Sequence, residues 1–268
     1  TLSTDDFIES ESAMIRSRGH CNTMGAASTM GLLAEALGLV PAGLAGTPAP
    51  DSRLLAGAHE AGRLAVDLVA VQRRPSDVLT RASFHNAIVT LAAIGGSTNA
   101  VVHLLAIAGR VGVGLTLDDF DRIGSDVPVL VDLQPAGRFL MDDLHRAGGL
   151  RAVLREVRDL LDPSAMTVTG RSLVDGLDDA LVWDDAVIRR RSDPVLAHGG
   201  IAVLRGSLAP DGAVIKPAAA SPELLRHRGR ALVFDSIEDF HHRVDDPDLD
   251  VDADTVLVLR GCGPRGYP

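Results

Sequence analysis

The sequence predicts a helix-rich, incomplete α/β part over residues 1–163, followed over residues 164–268 by an all-β, barrel-like domain with one helix. Three observations point there. Apolar residues recur at helical spacing through most of the first half. Near Asp162-Pro163-Ser164 the texture changes, and short β-type runs punctuated by Gly, Pro and Asp take over. A composition of 46% hydrophobic and 23% charged residues supports a folded core, while 3% aromatics make that core aliphatic and alanine-rich.

The elements follow in chain order. Ser3 and Asp6 have capping-box spacing and open a helix through about Ile15. Thr23 to Leu37 is apolar with many small residues, and Gly38 is its C-terminal stop. Pro41 to Pro50 is a Gly/Ala/Pro loop. Arg53 to Val71 is a long amphipathic helix, with Leu54, Ala58, Ala61, Ala65 and Leu68 along one side. Ala82 to Gly109 carries no Asp, Glu, Lys or Arg, but Gly95-Gly96-Ser97-Thr98-Asn99 breaks it. It therefore reads as two buried helices, Ser83–Ile94 and Thr98–Ala108, around a polar turn rather than a membrane span. Thr116 and Asp119 cap a short helix, Pro128 to Asp132 is a strand, and Arg138–Ala147 and Leu150–Leu161 are helices split by Gly148-Gly149. Strands are expected at 166–169, 180–183, 201–205, 213–215, 231–234 and 255–260, with a capped helix at Ser236–Val244.

Charge and cysteine content narrow the function classes. A net charge of −10 argues against a general binder of nucleic acid or anionic membranes. Two cysteines in 268 residues exclude a disulfide scaffold and fit a reducing, cytoplasmic setting. No basic stretch followed by an apolar one opens the sequence as in a signal peptide, and the chain reads as the central piece of a longer protein. Residues 235–254 hold nine acids against Arg243, which is −8 of the net −10. Asp248, Asp250 and Asp252 invite comparison with a calcium loop, but Ala253 and Leu259 occupy the places where that loop needs Gly and Glu. A solvated acidic turn is the better reading. His241-His242 are adjacent, so on a helix they face different ways, as surface residues do.

Nucleophile-elbow, Walker A, His-Glu-x-x-His and Cys-x-x-Cys patterns are absent. Two segments nevertheless carry chemistry. In Gly19 to Met30, Cys21 stands just before a helix start among Gly, Ala, Ser and Thr. A helix N-terminus favours a thiolate, and small neighbours let a bulky cofactor approach. The same pattern suits a buried structural cysteine between close-packed helices. In Gly95 to Asn99, amides and hydroxyls open a helix and suit an anion such as a carboxylate. The same residues also serve as an ordinary turn with Ser97 or Thr98 as N-cap.

Taken together, several segments resemble one family. Cys21-Asn22-Thr23-Met24-Gly25 through Met30 is similar to the third cluster-cysteine segment of the dihydroxy-acid dehydratase/phosphogluconate dehydratase family. Gly95 to His103, Leu133 to Met141, Gly199 to Lys216, Asp245 to Asp250 and Gly261 to Pro268 resemble further family segments, in family order across the chain. Asn22 follows Cys21 where branched-chain members have a glycine pair, so the resemblance is to the sugar-acid (aldonate) branch.

The resemblance implies a hydro-lyase that converts a 2,3-dihydroxy carboxylic acid to a 2-keto acid. It implies an iron–sulfur cluster (2Fe-2S or 4Fe-4S) as Lewis acid on the departing 3-hydroxyl, Mg2+ on the carboxylate and 2-hydroxyl, and a serine alkoxide as base. It assigns Cys21 as a cluster ligand, and Ser97 and Thr98 are the candidate substrate-binding residues. The family's cysteine-aspartate-lysine segment, its earlier cluster cysteine, its magnesium-binding glutamates and its serine base have no counterpart here, and Cys262 matches no family ligand. Since a cluster needs three or four protein ligands, the chain alone is expected to be inactive. The whole protein is expected to be a homodimer or tetramer acting on a small hydroxy acid, with no nucleic-acid or membrane partner. A branched-chain dihydroxy-acid dehydratase is the alternative within the family, and a non-catalytic fragment or binding module is the alternative from another class.

Overall fold

The computed structural model describes residues 3–14 and 18–263. The chain divides into two compact units, Thr1–Ala219 and Ala220–Pro268. This division falls later than the 163/164 boundary expected from the change in texture.

The first unit begins with α1 (Thr4–Met14). Asp6 accepts hydrogen bonds from the Ser3 amide and hydroxyl, as the capping-box spacing requires; the expected end at Ile15 lies outside the described residues. α2 (Ala26–Ala36) stops at Leu37-Gly38, where Gly38 takes a positive φ of 83°. α3 (Ser52–Ala70) is capped by Asp51, whose carboxylate accepts from the Arg53 amide at 2.8 Å. A short α4 (Pro75–Val78), not foreseen in the sequence, is opened by Pro75. α5 (Arg81–Ala93) and α6 (Asn99–Arg110) flank the Gly-rich turn, followed by α7 (Leu117–Gly124), α8 (Met141–Ala147) and α9 (Gly149–Glu156). Among the described residues no helix is long and apolar enough to cross a membrane.

Helix α5 is the centre of this unit, with ten buried residues from Ser83 to Ala93. Its apolar side chains enter two clusters. One, with Leu33, Phe84, Ile88, Leu104 and Phe120, joins α2, α6 and α7. The other, with Val89, Ala93, Leu130, Leu144 and Val153, joins α8 and α9 through residues 127–133. Its buried polar groups are paired, Ser83 and Thr90 within the helix and its cap and Asn86 across the chain. The Asn86 side chain donates to the Asp162 carbonyl at 3.0 Å and accepts from the Asp162 amide at 2.7 Å. The segment at 162–164, where the texture changes, is thus fastened to α5, and the Val168 amide adds a bond to the Gly38 carbonyl.

Residues 127–133 form an extended rail. It makes isolated bridges, Val129 to Leu196 and Val131 to Ile188, and the Leu130 amide donates to the Ala93 carbonyl at 2.8 Å. The rail enters a turn with a cis Gln134-Pro135 bond. Of the runs expected as strands, 166–169 contributes an isolated Met166–Ser172 bridge and 180–183 has none. β1 (Ala202–Gly206) and β2 (Ala209–Ile215) form an antiparallel hairpin, with β1 packed on α7.

The second unit is a strand–helix–strand motif. β3 (Ala231–Phe234) pairs in parallel with β4 (Val256–Leu259) through α10 (Ile237–Arg243), the crossover that a parallel pair needs. Ser236 caps α10 by accepting from the Asp239 amide at 3.2 Å. Phe234 is buried edge-to-face against Phe240, with ring centroids 5.2 Å apart. The acidic stretch forms local turns, with Asp246 and Asp252 accepting from the amides of Asp248 and Asp254. His241 and His242 are exposed. The described strands make two separate two-stranded sheets rather than a closed barrel.

Asp119 is the buried carboxylate that fixes α7 to α5. It accepts from the Thr116 amide at 2.9 Å and from Arg122 at 2.9 Å, and it pairs with Arg81. Hydrogen bonding from Arg81 holds its carboxyl well below the usual carboxylate range. The Asp119→Ala variant should lose about 2–4 kcal/mol of unfolding free energy through the missing cap and the unpaired donors. A depressed carboxyl stabilises above its unfolded pKa, so the difference from wild type should shrink as pH falls below about 4. Urea unfolding at pH 7 and pH 3 measures both, and a pH-independent difference would contradict the assignment.

Candidate functional site

The residues from Gly19 to Gly25 form a loop that delivers the chain into α2. Backbone bonds pin it to distant segments. The Met24 amide donates to the Gln134 carbonyl at 2.8 Å, and the Met141 amide donates to the Asn22 carbonyl at 3.0 Å. The Asn22 side-chain oxygen accepts from the Asp142 amide at 3.0 Å, capping the start of α8. At the α2 side, the Ser28 hydroxyl donates to the Thr23 carbonyl at 2.5 Å.

Cys21 projects from this pinned loop and is exposed. It is therefore not the buried packing cysteine that the sequence left open. Its sulfur lies 3.5 Å from the Thr23 hydroxyl. Hydrogen bonding from the Thr23 side chain, and then from its backbone, holds the Cys21 thiol below its ordinary value. A Cβ at Gly25 would sit 3.7 Å from that sulfur, so glycine leaves its near side open.

Cys21 lines a cavity of about 710 Å³. Its walls come from residues 18–22, the outer side of α2, the loop 40–50, Leu54 of α3 and α8, with Arg18, His20, Asn22, Thr47, Asp142 and Arg146 among the polar contributors. The size is that of a small-molecule site.

The second segment has a different role in the local structure. Gly95 takes φ +54°, and a Cβ on Gly96 would lie 2.7 Å from both Leu91 and Thr29 side-chain carbons, so α2 can cross the turn only because residue 96 is glycine. Buried Thr29 accepts from the Ser97 amide at 3.0 Å. The Ser97 hydroxyl accepts from the Asn99 amide at 3.3 Å, and Thr98 makes no side-chain cap bond. Ser97 and Thr98 do not line the Cys21 cavity; α2 links the two segments, with Cys21 before its first turn and Thr29 within it.

The donor set decides what these residues could hold. Cys21 supplies one thiolate, and Cys262 belongs to the other compact unit. Among the described residues no three His, Cys, Asp or Glu side chains converge as a metal site. An iron–sulfur cluster with three or four protein ligands does not fit this donor set by itself, and the same holds for a magnesium ion held by several carboxylates. Sequence reasoning missed Glu35, a buried acid on α2 whose signal was a lone charge within an otherwise uncharged helix, and it missed the contribution of loop 40–50 to the cavity wall.

The dihydroxy-acid/6-phosphogluconate dehydratase N-terminal family matches residues 1–176, and the corresponding C-terminal family matches residues 186–268. The chain is 53% identical to L-arabonate dehydratase of Azospirillum brasilense and 50% identical to L-arabinonate dehydratase of Rhizobium leguminosarum bv. trifolii, in each case over 98% of this chain and 46% of the relative. It is 42% identical to dihydroxy-acid dehydratase of Natronomonas pharaonis, over 100% of this chain and 46% of the relative. The chain therefore spans about half the length of the curated relatives it matches.

The Thr23 contact generates a prediction about Cys21. In a Cys262→Ser background, iodoacetamide should alkylate Cys21 with a pH midpoint below the ordinary thiol value of about 8.5. Thr23→Val should move the midpoint upward. Rates following an ordinary thiol in both proteins would show that Thr23 does not stabilise the thiolate.

Proposed function

Because the chain belongs to the dihydroxy-acid/6-phosphogluconate dehydratase family, we propose that it forms part of a hydro-lyase acting on a sugar acid (aldonate). The reaction removes one water from a 2,3-dihydroxy carboxylic acid. The C3–O bond breaks, C2 loses its proton, and the resulting enol tautomerises to a 2-keto-3-deoxy acid.

The observation that carries this reading is Cys21, an exposed, acid-shifted thiol on a pinned loop facing a cavity of small-molecule size. In the whole protein Cys21 is one ligand of an iron–sulfur cluster whose remaining ligands lie in family segments outside these residues. Mg2+ is held in the same way, by groups this chain does not supply. Ser97 and Thr98, at the start of α6, meet the substrate once those segments are in place. The same proposal includes the barrel-like domain expected over residues 164–268, a homodimer or tetramer, and a cytoplasmic setting.

Two features favour an aldonate over a branched-chain dihydroxy acid. Identity is 53% and 50% to the two arabonate dehydratases against 42% to the dihydroxy-acid dehydratase. The cavity around Cys21 also carries polar groups at Arg18, His20, Thr47, Asp142 and Arg146, which give the extra hydroxyls of a pentonate or hexonate partners. Sites built for hydroxyls reject analogues lacking them strongly; here Asp142 and Arg146 pair with each other at 2.6 Å and present that pair to the cavity. Asn22 and Thr23 themselves spend hydrogen-bonding capacity on Asp142 and Cys21.

In the full-length enzyme, kcat/KM should rank pentonates and hexonates above dihydroxyisovalerate, and a clear preference for dihydroxyisovalerate would replace the substrate while keeping the dehydratase. Cys21→Ser should lower bound iron and abolish turnover; unchanged iron and activity would remove Cys21 from the cluster. The 268-residue chain alone should show no dehydration after reconstitution with iron, sulfide and Mg2+, because groups that act as a unit lose nearly all rate together.

A further inference from the structure

Glu35 is only 1% exposed, on the last turn of α2. Its carboxylate accepts from the Gly43 amide at 2.7 Å with one oxygen and from the Ala45 amide at 2.9 Å with the other. Among the described residues, the remaining hydrogen bonds of segment 41–50 close on the segment itself or on Asp51. They run from the Leu44 amide to Pro41, from the Thr47 amide and hydroxyl to Leu44 and Gly43, and from the Asp51 amide to Pro48. Polar attachment of this loop to the body of the unit therefore passes through Glu35. The same loop supplies Leu44 through Pro50 to the wall of the Cys21 cavity.

We infer that Glu35 is a positioning residue, and that its carboxylate latches loop 41–50 in the conformation that shapes the Cys21 cavity. The inference about the loop stands on geometry alone; its extension to substrate rests on the reading of that cavity given above. A carboxylate has two acceptor oxygens for the two amides. A protonated acid or a glutamine offers one good acceptor and must place a hydrogen against the second amide.

The latch is set to respond near neutral pH. Burial pushes the Glu35 carboxyl up to about 7, against the opposing pull of the Gly43 and Ala45 amides. Arg151 on α9 favours the charged form as well. Across a cavity of about 240 Å³ that Glu35 also lines stand Arg171 and Asp175, which pair with each other at 4.0 Å. The ionised form, which holds both amides, gains population as pH rises through about 7 and loses it as pH falls.

The test is hydrogen–deuterium exchange of the full-length enzyme, wild type and Glu35→Gln, read by mass spectrometry and corrected for intrinsic exchange. At pH 8 the peptide covering 41–50 should exchange at least about 10-fold faster in Glu35→Gln, while peptides from α5 keep their protection. In wild type, protection of that peptide should fall between pH 8 and pH 6, a measurement that needs no variant to fold. Steady-state kinetics should show KM raised about 10-fold with kcat changed far less, the pattern of lost uniform binding of substrate when a cavity wall loosens. Equal loop protection in both proteins would overturn the latch, and flat wild-type protection over that pH range would overturn its response to pH. A loosened loop with unchanged KM would keep the latch and overturn the assignment of the Cys21 cavity to substrate.

Discussion

Helix α5 has almost no face for water, and the rest of the first unit follows from that. A helix buried on every side needs apolar partners all round and a partner for each polar side chain it takes inside. The partners are α2, α6 and α7 on one side and the rail 127–133 with α8 and α9 on the other. Asn86 meets its polar requirement by pairing with both backbone groups of Asp162, and Thr90 by donating to the Asn86 carbonyl at 2.7 Å. Replacing Asn86 with an apolar residue would strand the Asp162 amide and carbonyl, so the cost would appear in a segment 76 residues away.

This burial reaches the candidate site through a short series of backbone bonds. Ala93 at the end of α5 receives the Leu130 amide, and the rail then runs into the turn that begins at Gln134. The Gln134 carbonyl receives Met24, while Met141, at the start of the next helix, donates to Asn22. The position of Cys21 is therefore set by the packing of α5. Thr29 makes a second connection, because the α2 turn that follows the cysteine loop accepts from Ser97 across the gap that Gly96 leaves open.

What the sequence made legible divides along the same physical line. Helices with strong periodicity or good caps, such as α3 with Asp51 and α7 with Thr116 and Asp119, lie within a few residues of their expected bounds. The uncharged stretch 82–109 splits into two helices at Gly95-Gly96, because Gly95 takes a positive φ and Gly96 leaves room for Thr29 of α2. The runs at 128–132 and 166–169 have strand-like composition but find single bridges instead of ladders. Side-chain pattern reports which faces are buried, and it does not report whether a neighbouring strand exists to complete a sheet. The 231–234 and 255–260 runs do pair, but in parallel through α10, a long-range choice that alternation cannot encode. At the site, Cys21 stood out through its small neighbours. Glu35 and loop 41–50 did not, because their meaning lies in contacts made eight and ten residues apart.

The cysteine loop is held mainly by its backbone, and this bears on what its side chains can do. Amides and carbonyls of Asn22, Thr23 and Met24 carry most of the bonds that fix it, with the Asn22 side chain adding one at α8. A scaffold fixed in that way stays in place while the outward side chains meet a ligand, since occupying them does not withdraw a bond from the fold. Cys21 is such a side chain: it is exposed, its sulfur meets only the local Thr23 among the described residues, and Gly25 leaves space beside the sulfur. Ser97 is the opposite case, because its hydroxyl and amide are both engaged in holding the turn and α2 together. Any ligand taking the Ser97 hydroxyl must compete with the Asn99 amide, whereas one taking the Cys21 sulfur displaces only a long contact with a neighbour. The two segments that drew attention in the sequence for the same reason, a helix start among small residues, thus differ in how much of their chemistry is still available.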